Sequence, residues 1–96
     1  MNEERIAWIE KARTLKELST ATEGYREQAL AAHPALRANG VFNVAMRAHS
    51  YFDALEQVRH AVLGRGDRYQ DVIRVLECAT DKQFVLAKEH RFRWSR

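Results

Sequence analysis

Proline occurs once, at Pro34, and glycine four times in 96 residues. Folds built from many short strands need both at their turns, so this scarcity argues against sandwiches and barrels and for a few helices. Cysteine also occurs once, at Cys78, which excludes an internal disulfide framework and a cysteine-rich zinc site. No apolar run approaches the ~18 residues of a membrane span. The acidic opening Met1-Asn2-Glu3-Glu4 lacks the basic start of a secretion signal. A cytoplasmic protein with no membrane contact is expected, and with that setting Arg65-Gly66-Asp67 reads as a turn rather than as an integrin ligand.

An excess of one charge is missing from most of the chain as well. Residues 1–87 hold twelve Lys or Arg against twelve Asp or Glu. Residues 88–96 hold Lys88, Arg91, Arg93 and Arg96 against Glu89, and so carry the whole net charge of +3. A nucleic-acid-binding domain more often carries its basic face on the body. Here only the terminal segment is basic.

Three helices are expected. Residues 3–33 read as one, with Glu3 and Glu4 at the positive end of its dipole and Pro34 closing it. Trp8, Leu15, Thr22 and Ala29 share one heptad position, and Leu18, Tyr25 and Ala32 lie three residues further on, the spacing of bundle packing. Thr20 and Glu23 form a candidate capping box and Gly24 weakens the helix, but the unbroken heptad phase favours a single element. After a turn at Asn39-Gly40, residues 41–63 carry Val44, Ala48, Tyr51, Phe52, Leu55, Val58 and Val62 on one face. Gly64-Arg65-Gly66 ends this helix, and Asp67 is placed to cap the next. Residues 67–89 bear Tyr69, Val72, Ile73, Leu76, Ala79 and Ala87 on an inner side, widened by Val75, Cys78 and Leu86 toward burial on two sides.

The fold class is therefore all-α, a small three-helix up-down-up bundle over residues 1–89. A basic-aromatic tail, residues 90–96, follows it. In that tail Arg91 and Arg93 alternate with Phe92 and Trp94, a pattern suited to extended chain. Leu55, Val58, Val62, Ile73 and Leu76 are expected at the centre of the core, and Trp8, Tyr25, Tyr51, Phe52 and Tyr69 are assigned to it too.

Chemistry-bearing patterns are sparse. His49, Asp53, Glu56 and His60 fall on one stripe of the second helix, the spacing of a metal site. They also make ordinary i,i+4 surface pairs, and no metal or other cofactor is expected. Acidic Glu77 and Asp81 flank Cys78 and oppose thiolate formation. His33 suits the C-terminal end of a helix. No phosphate loop or nucleophile elbow is present, and no enzymatic activity is expected.

What exceeds a plain core is apolar and arginine-rich. Ile6 and Ile9 lie off the Trp8–Leu15 seam, and Phe92 and Trp94 lie beyond the last helix. Arg91, Phe92, Arg93, Trp94, Arg96, Ile6 and Ile9 are thus the candidate partner-binding residues, since Trp and Arg dominate interface hot spots. The expected function is that of a non-enzymatic interaction protein: an adaptor, a small subunit of an assembly, or an inhibitor that occupies a partner protein's surface. Homodimerisation through the chain ends is part of this reading. One alternative is nucleic-acid binding by Lys88, Arg91, Arg93 and Arg96. Another is a metal-dependent activity at the His49–His60 stripe.

Overall fold

Thr14 divides the first of the expected helices. In the computed structural model, which describes the backbone of residues 2–61 and 66–94 and the side chains of 2–61 and 68–89, helix α1 spans Asn2–Lys11 and α2 spans Leu15–Ala21. Extended Thr14 accepts the Glu17 N–H through Oγ1 at 3.0 Å, and the Glu17 carboxylate accepts the Arg13 N–H at 3.0 Å. These reciprocal bonds satisfy donors that a helix start leaves open. A second break follows at Thr22–Gly24, and α3 spans Tyr25–Ala32 behind Gly24, whose φ of 79° suits a residue without a Cβ. Thr20 bonds back to the Lys16 carbonyl at 3.2 Å instead of capping. Residues 3–33 are therefore three helices, a correction to the single rod.

The second expected helix is also divided. A 3-10 turn, Pro34–Ala38, leads to α4 (Gly40–Arg47), capped by the Asn39 side chain on the Phe42 N–H at 2.9 Å. At its C-terminal end the His49 N–H reaches the Met46 carbonyl at 3.2 Å and the Ser50 N–H reaches the Ala45 carbonyl at 2.8 Å. That is the hydrogen-bond pattern of a Schellman stop, with His49 at φ 56° where glycine is usual. Helix α5 then runs Tyr51–Ala61.

After a 3-10 turn, Gly66–Tyr69, helix α6 extends over Gln70–Trp94. It continues past residue 89, so residues 90–94 are helical where extended chain is expected from the sequence. Neither proline nor glycine interrupts this segment, so the helical hydrogen-bond ladder runs on through it. Among the described residues there is no strand, and no helix is long and apolar enough to cross a membrane. Met1, Val62–Arg65, Ser95 and Arg96, with the Asp67 side chain, lie outside the described residues, so the expectations for Val62 and for the caps at 64–67 fall there too.

Helix α6 is the element on which the others gather: α1, α2 and α5 all pack against it, while α4 packs on α5. Val72, Val75, Leu76 and Ala79 are closed off from water, with Ile73 and Leu86 nearly so. Ile9, Leu18, Tyr25, Leu36, Phe42, Tyr51, Leu55 and Val58 complete the core from the other elements. Two cross-links orient α5 antiparallel to α6, Arg59 to Glu77 at 2.7 Å and the Gln83 amide to the His49 carbonyl at 2.9 Å.

Three side chains tie the breaks together. The Arg5 guanidinium donates to the carbonyls of Ala21 and Glu23 and to the Gln28 amide oxygen at 2.8–3.1 Å, between the rings of Trp8 and Tyr25. Thr22 Oγ1 lies 2.7 Å from the Tyr51 hydroxyl and bonds the Leu18 and Ser19 carbonyls, which links the α2–α3 break to α5. His33 Nε2 sits 2.9 and 3.1 Å from the two Asp71 oxygens and the ring stacks on Tyr69, fastening the end of α3 to the start of α6.

Two substitutions probe this core by chemical denaturation. Leu55→Ala replaces a buried isobutyl group by a methyl and is expected to cost ~2–5 kcal/mol; a loss below ~1 kcal/mol would place that face outside the core. Thr80 is buried and its hydroxyl has no hydrogen-bond partner. Thr80→Val keeps the shape and removes the unsatisfied group, so a gain of about 1 kcal/mol is expected, and a loss of that size would contradict the assignment.

Candidate interaction surface

The seam read from the heptads does not face inward along its length. Trp8 is 47% exposed and Leu15 40% exposed, whereas Ile9 is fully buried and Ile6 packs against the core. Ala12, just past the end of α1, is buried with Ile9. Ile9 is thus a core residue, with Ile6 half-buried against that core, because the break after Lys11 frees α1 from the heptad phase of α2. Phe52 is 48% exposed and Val44 is exposed too, against their expected place in the core.

The most exposed large apolar side chain among the described residues is Phe84, at 65%, with Val85 beside it at 52%. Arg59 meets Glu77, and one heptad along each antiparallel helix from that pair lie Phe52 and Phe84. The same turns of α6 commit their inner residues elsewhere: Lys82 Nζ donates to the Glu10 carbonyl at 2.7 Å, Gln83 reaches His49, and Leu86 is buried.

Arg91, Phe92, Arg93 and Trp94 follow on the same helix; their side chains, like Arg96, are outside the described residues. Exposed Lys88 leads into them. The structure therefore joins an exposed apolar patch to the basic-aromatic run on one continuous helix. The helical backbone of residues 90–94 replaces the extended chain expected from the sequence.

The histidine-carboxylate stripe is disrupted. His49 belongs to the stop between α4 and α5, off the helix that carries Asp53, Glu56 and His60. Ser50 engages Asp53 at 2.7 Å, and Arg59 engages Glu56 at 3.2 Å. Among the described residues no group of three or more His, Cys, Asp or Glu is placed to hold a metal ion. His49 Nε2 lies 3.4 Å from Ser19 Oγ, the long end of hydrogen-bond range. His33 is held by Asp71 rather than serving the helix dipole alone.

A shallow cleft of ≈ 400 Å³ lies between α1 and α2, lined by Trp8, Lys11, Ala12, Glu17, Thr20 and Ala21. Another, of ≈ 490 Å³, lies beside the Pro34–Ala38 turn and Tyr69. Cys78 is half-buried, and burial, with Glu10 and Asp81 nearby, raises its thiol pKa. Of the acidic neighbours expected from the sequence, Asp81 acts on the thiol and Glu10 of α1 takes the place of Glu77.

No family model matches the chain, and neither a curated protein nor a solved structure does.

Burial holds two phenols in their neutral form. Desolvation pushes the Tyr25 pKa well up, with Asp71 adding to the effect and Arg5 opposing it. Desolvation also raises that of Tyr51, against the bond to Thr22. An acid whose pKa is higher folded than unfolded contributes stability below its unfolded pKa, near 10, and loses it as the pH rises toward the folded value. Unfolding free energy is expected to fall above about pH 10, and Tyr25→Phe is expected to flatten that fall. Titration of denaturation midpoints from pH 8 to 11.5 measures it, and an equally steep fall in Tyr25→Phe would exclude Tyr25 as its source.

Proposed function

We propose that this chain is a non-enzymatic helical interaction protein that engages an acidic surface of a partner protein through the C-terminal end of α6. Arg91, Phe92, Arg93, Trp94 and Arg96 are the contact residues in this reading. The observation that carries it is the continuation of α6 to Trp94, combined with the placement of the entire charge excess in residues 88–96.

A preformed helix loses less conformational entropy on docking than a tail that must fold first. It suits the mode in which a helix lies in a groove of its partner, aromatic groups supplying area and arginines pairing carboxylates. The neutral body avoids general attraction to polyanions, so long-range steering acts on one end of the molecule. Phosphate could replace the carboxylates, which is the nucleic-acid reading with Lys88 included.

Affinity capture of the tagged full chain, with and without nuclease, separates the two. A protein partner that survives nuclease and is lost on truncation after Glu89 is the expected result. Retention of the partner by the truncated chain would remove the run 91–96 from the contact. Loss on nuclease treatment alone would transfer the function to nucleic acid.

A further inference from the structure

We propose that the outer face of α6 around Phe84 and Val85 is the contact between two copies of this chain, packed antiparallel about a two-fold axis. The inner residues of these turns are committed, as Lys82, Gln83 and Leu86 show. The outward residues are Asp81, Phe84, Val85 and Lys88, all exposed. Neither Asp81 nor Lys88 makes a hydrogen bond or ion pair with another described residue. They stand seven residues apart, about 10.5 Å along the helix, too far to pair within one chain.

The order of these four residues makes the surface its own complement. An acid, two adjacent apolar residues and a base are spaced symmetrically about the point between Phe84 and Val85. A two-fold axis through that point sets Asp81 of each copy against Lys88 of the other, twice, and Phe84 against Val85, twice. A parallel pairing would set Asp81 against Asp81 and Lys88 against Lys88, which like-charge repulsion disfavours. The occupant is thus identified by charge as well as by apolar area: the surface carries both halves of the pattern it needs.

This contact is distinct from the run 91–96, so it stands or falls separately from the proposed function. Sedimentation equilibrium of the full chain, from ~10 µM to ~1 mM, is expected to show a monomer–dimer equilibrium. Phe84→Glu places a charge at the centre and is expected to weaken the dimer at least ~100-fold. Asp81→Lys and Lys88→Asp each convert two attractive pairs into repulsive ones, for a loss of roughly ten-fold. The double variant Asp81→Lys/Lys88→Asp restores the pairing with signs exchanged, and is expected within about three-fold of the original affinity. Circular dichroism of each variant confirms helix content, which exposed substitutions leave unchanged. Truncation after Glu89 is expected to keep the dimer while abolishing partner capture. A monomer across the concentration range, a dimer indifferent to Phe84→Glu, or single reversals that the double variant fails to rescue would each overturn the proposal.

Discussion

A helix of 25 residues spans about 37 Å, and α6 is both the longest element and the one whose burial the other helices share. Val72, Val75, Leu76 and Ala79 are removed from water together, which no single neighbouring helix could accomplish. Helix α5 closes one flank, and α1 with α2 closes another. Each covering helix is short, because it must turn where its portion of α6 is covered. The breaks at Thr14, at residues 22–24 and at His49 follow from that demand: they let a 96-residue chain wrap one long core helix.

Polar side chains make those breaks affordable in hydrogen-bond terms. Every chain reversal exposes helix-end carbonyls and N–H groups, and buried ones left unpaired are costly. Arg5 reaches two such carbonyls and Thr22 two more, while Lys82 takes the Glu10 carbonyl at the end of α1. Asn39 and Thr14 close helix starts. Arg5, Thr22 and Lys82 also reach elements distant in sequence, so they fix tertiary placement as well as local shape.

What the sequence revealed depended on the range of the signal. The inward face of α5 and the two-sided burial of α6 were legible because each is one continuous helix whose apolar residues recur at 3.6-residue spacing: Leu55 and Val58, then Val72, Ile73, Val75, Leu76 and Ala79. The first 33 residues misled for a physical reason. A heptad phase transmits orientation only along an unbroken rod, so Trp8 and Leu15 could share a phase and still both face solvent. Thr14-Leu15-Lys16-Glu17 was a readable capping signature, and Ser50-Tyr51-Phe52-Asp53 a similar one. The stop at His49 had no glycine or proline to announce it, and its left-handed backbone depends on the hydrogen bonds around it. At the candidate surface, the basic-aromatic composition was legible, whereas the helical state of residues 90–94 was not. The exposure of Phe84 depended on which flank of α6 its neighbours cover, and that is set by tertiary packing.

The hydrogen bond from Lys82 to the Glu10 carbonyl joins points 72 residues apart. It has a consequence for how the chain is made. During vectorial synthesis α1, α2 and α5 emerge before the surface they are shaped to cover. Short helices without a tertiary partner are marginal in water, so the nascent chain holds at most fluctuating turns until α6 follows. Packing on α6 closes the earlier segments as large loops, and the entropy lost on closure grows with loop length. Until that moment the apolar side chains of Ile6, Ile9, Phe42 and Leu55 are bare to the surroundings, and protection of the unfinished chain falls to whatever binds exposed apolar segments as they leave the ribosome.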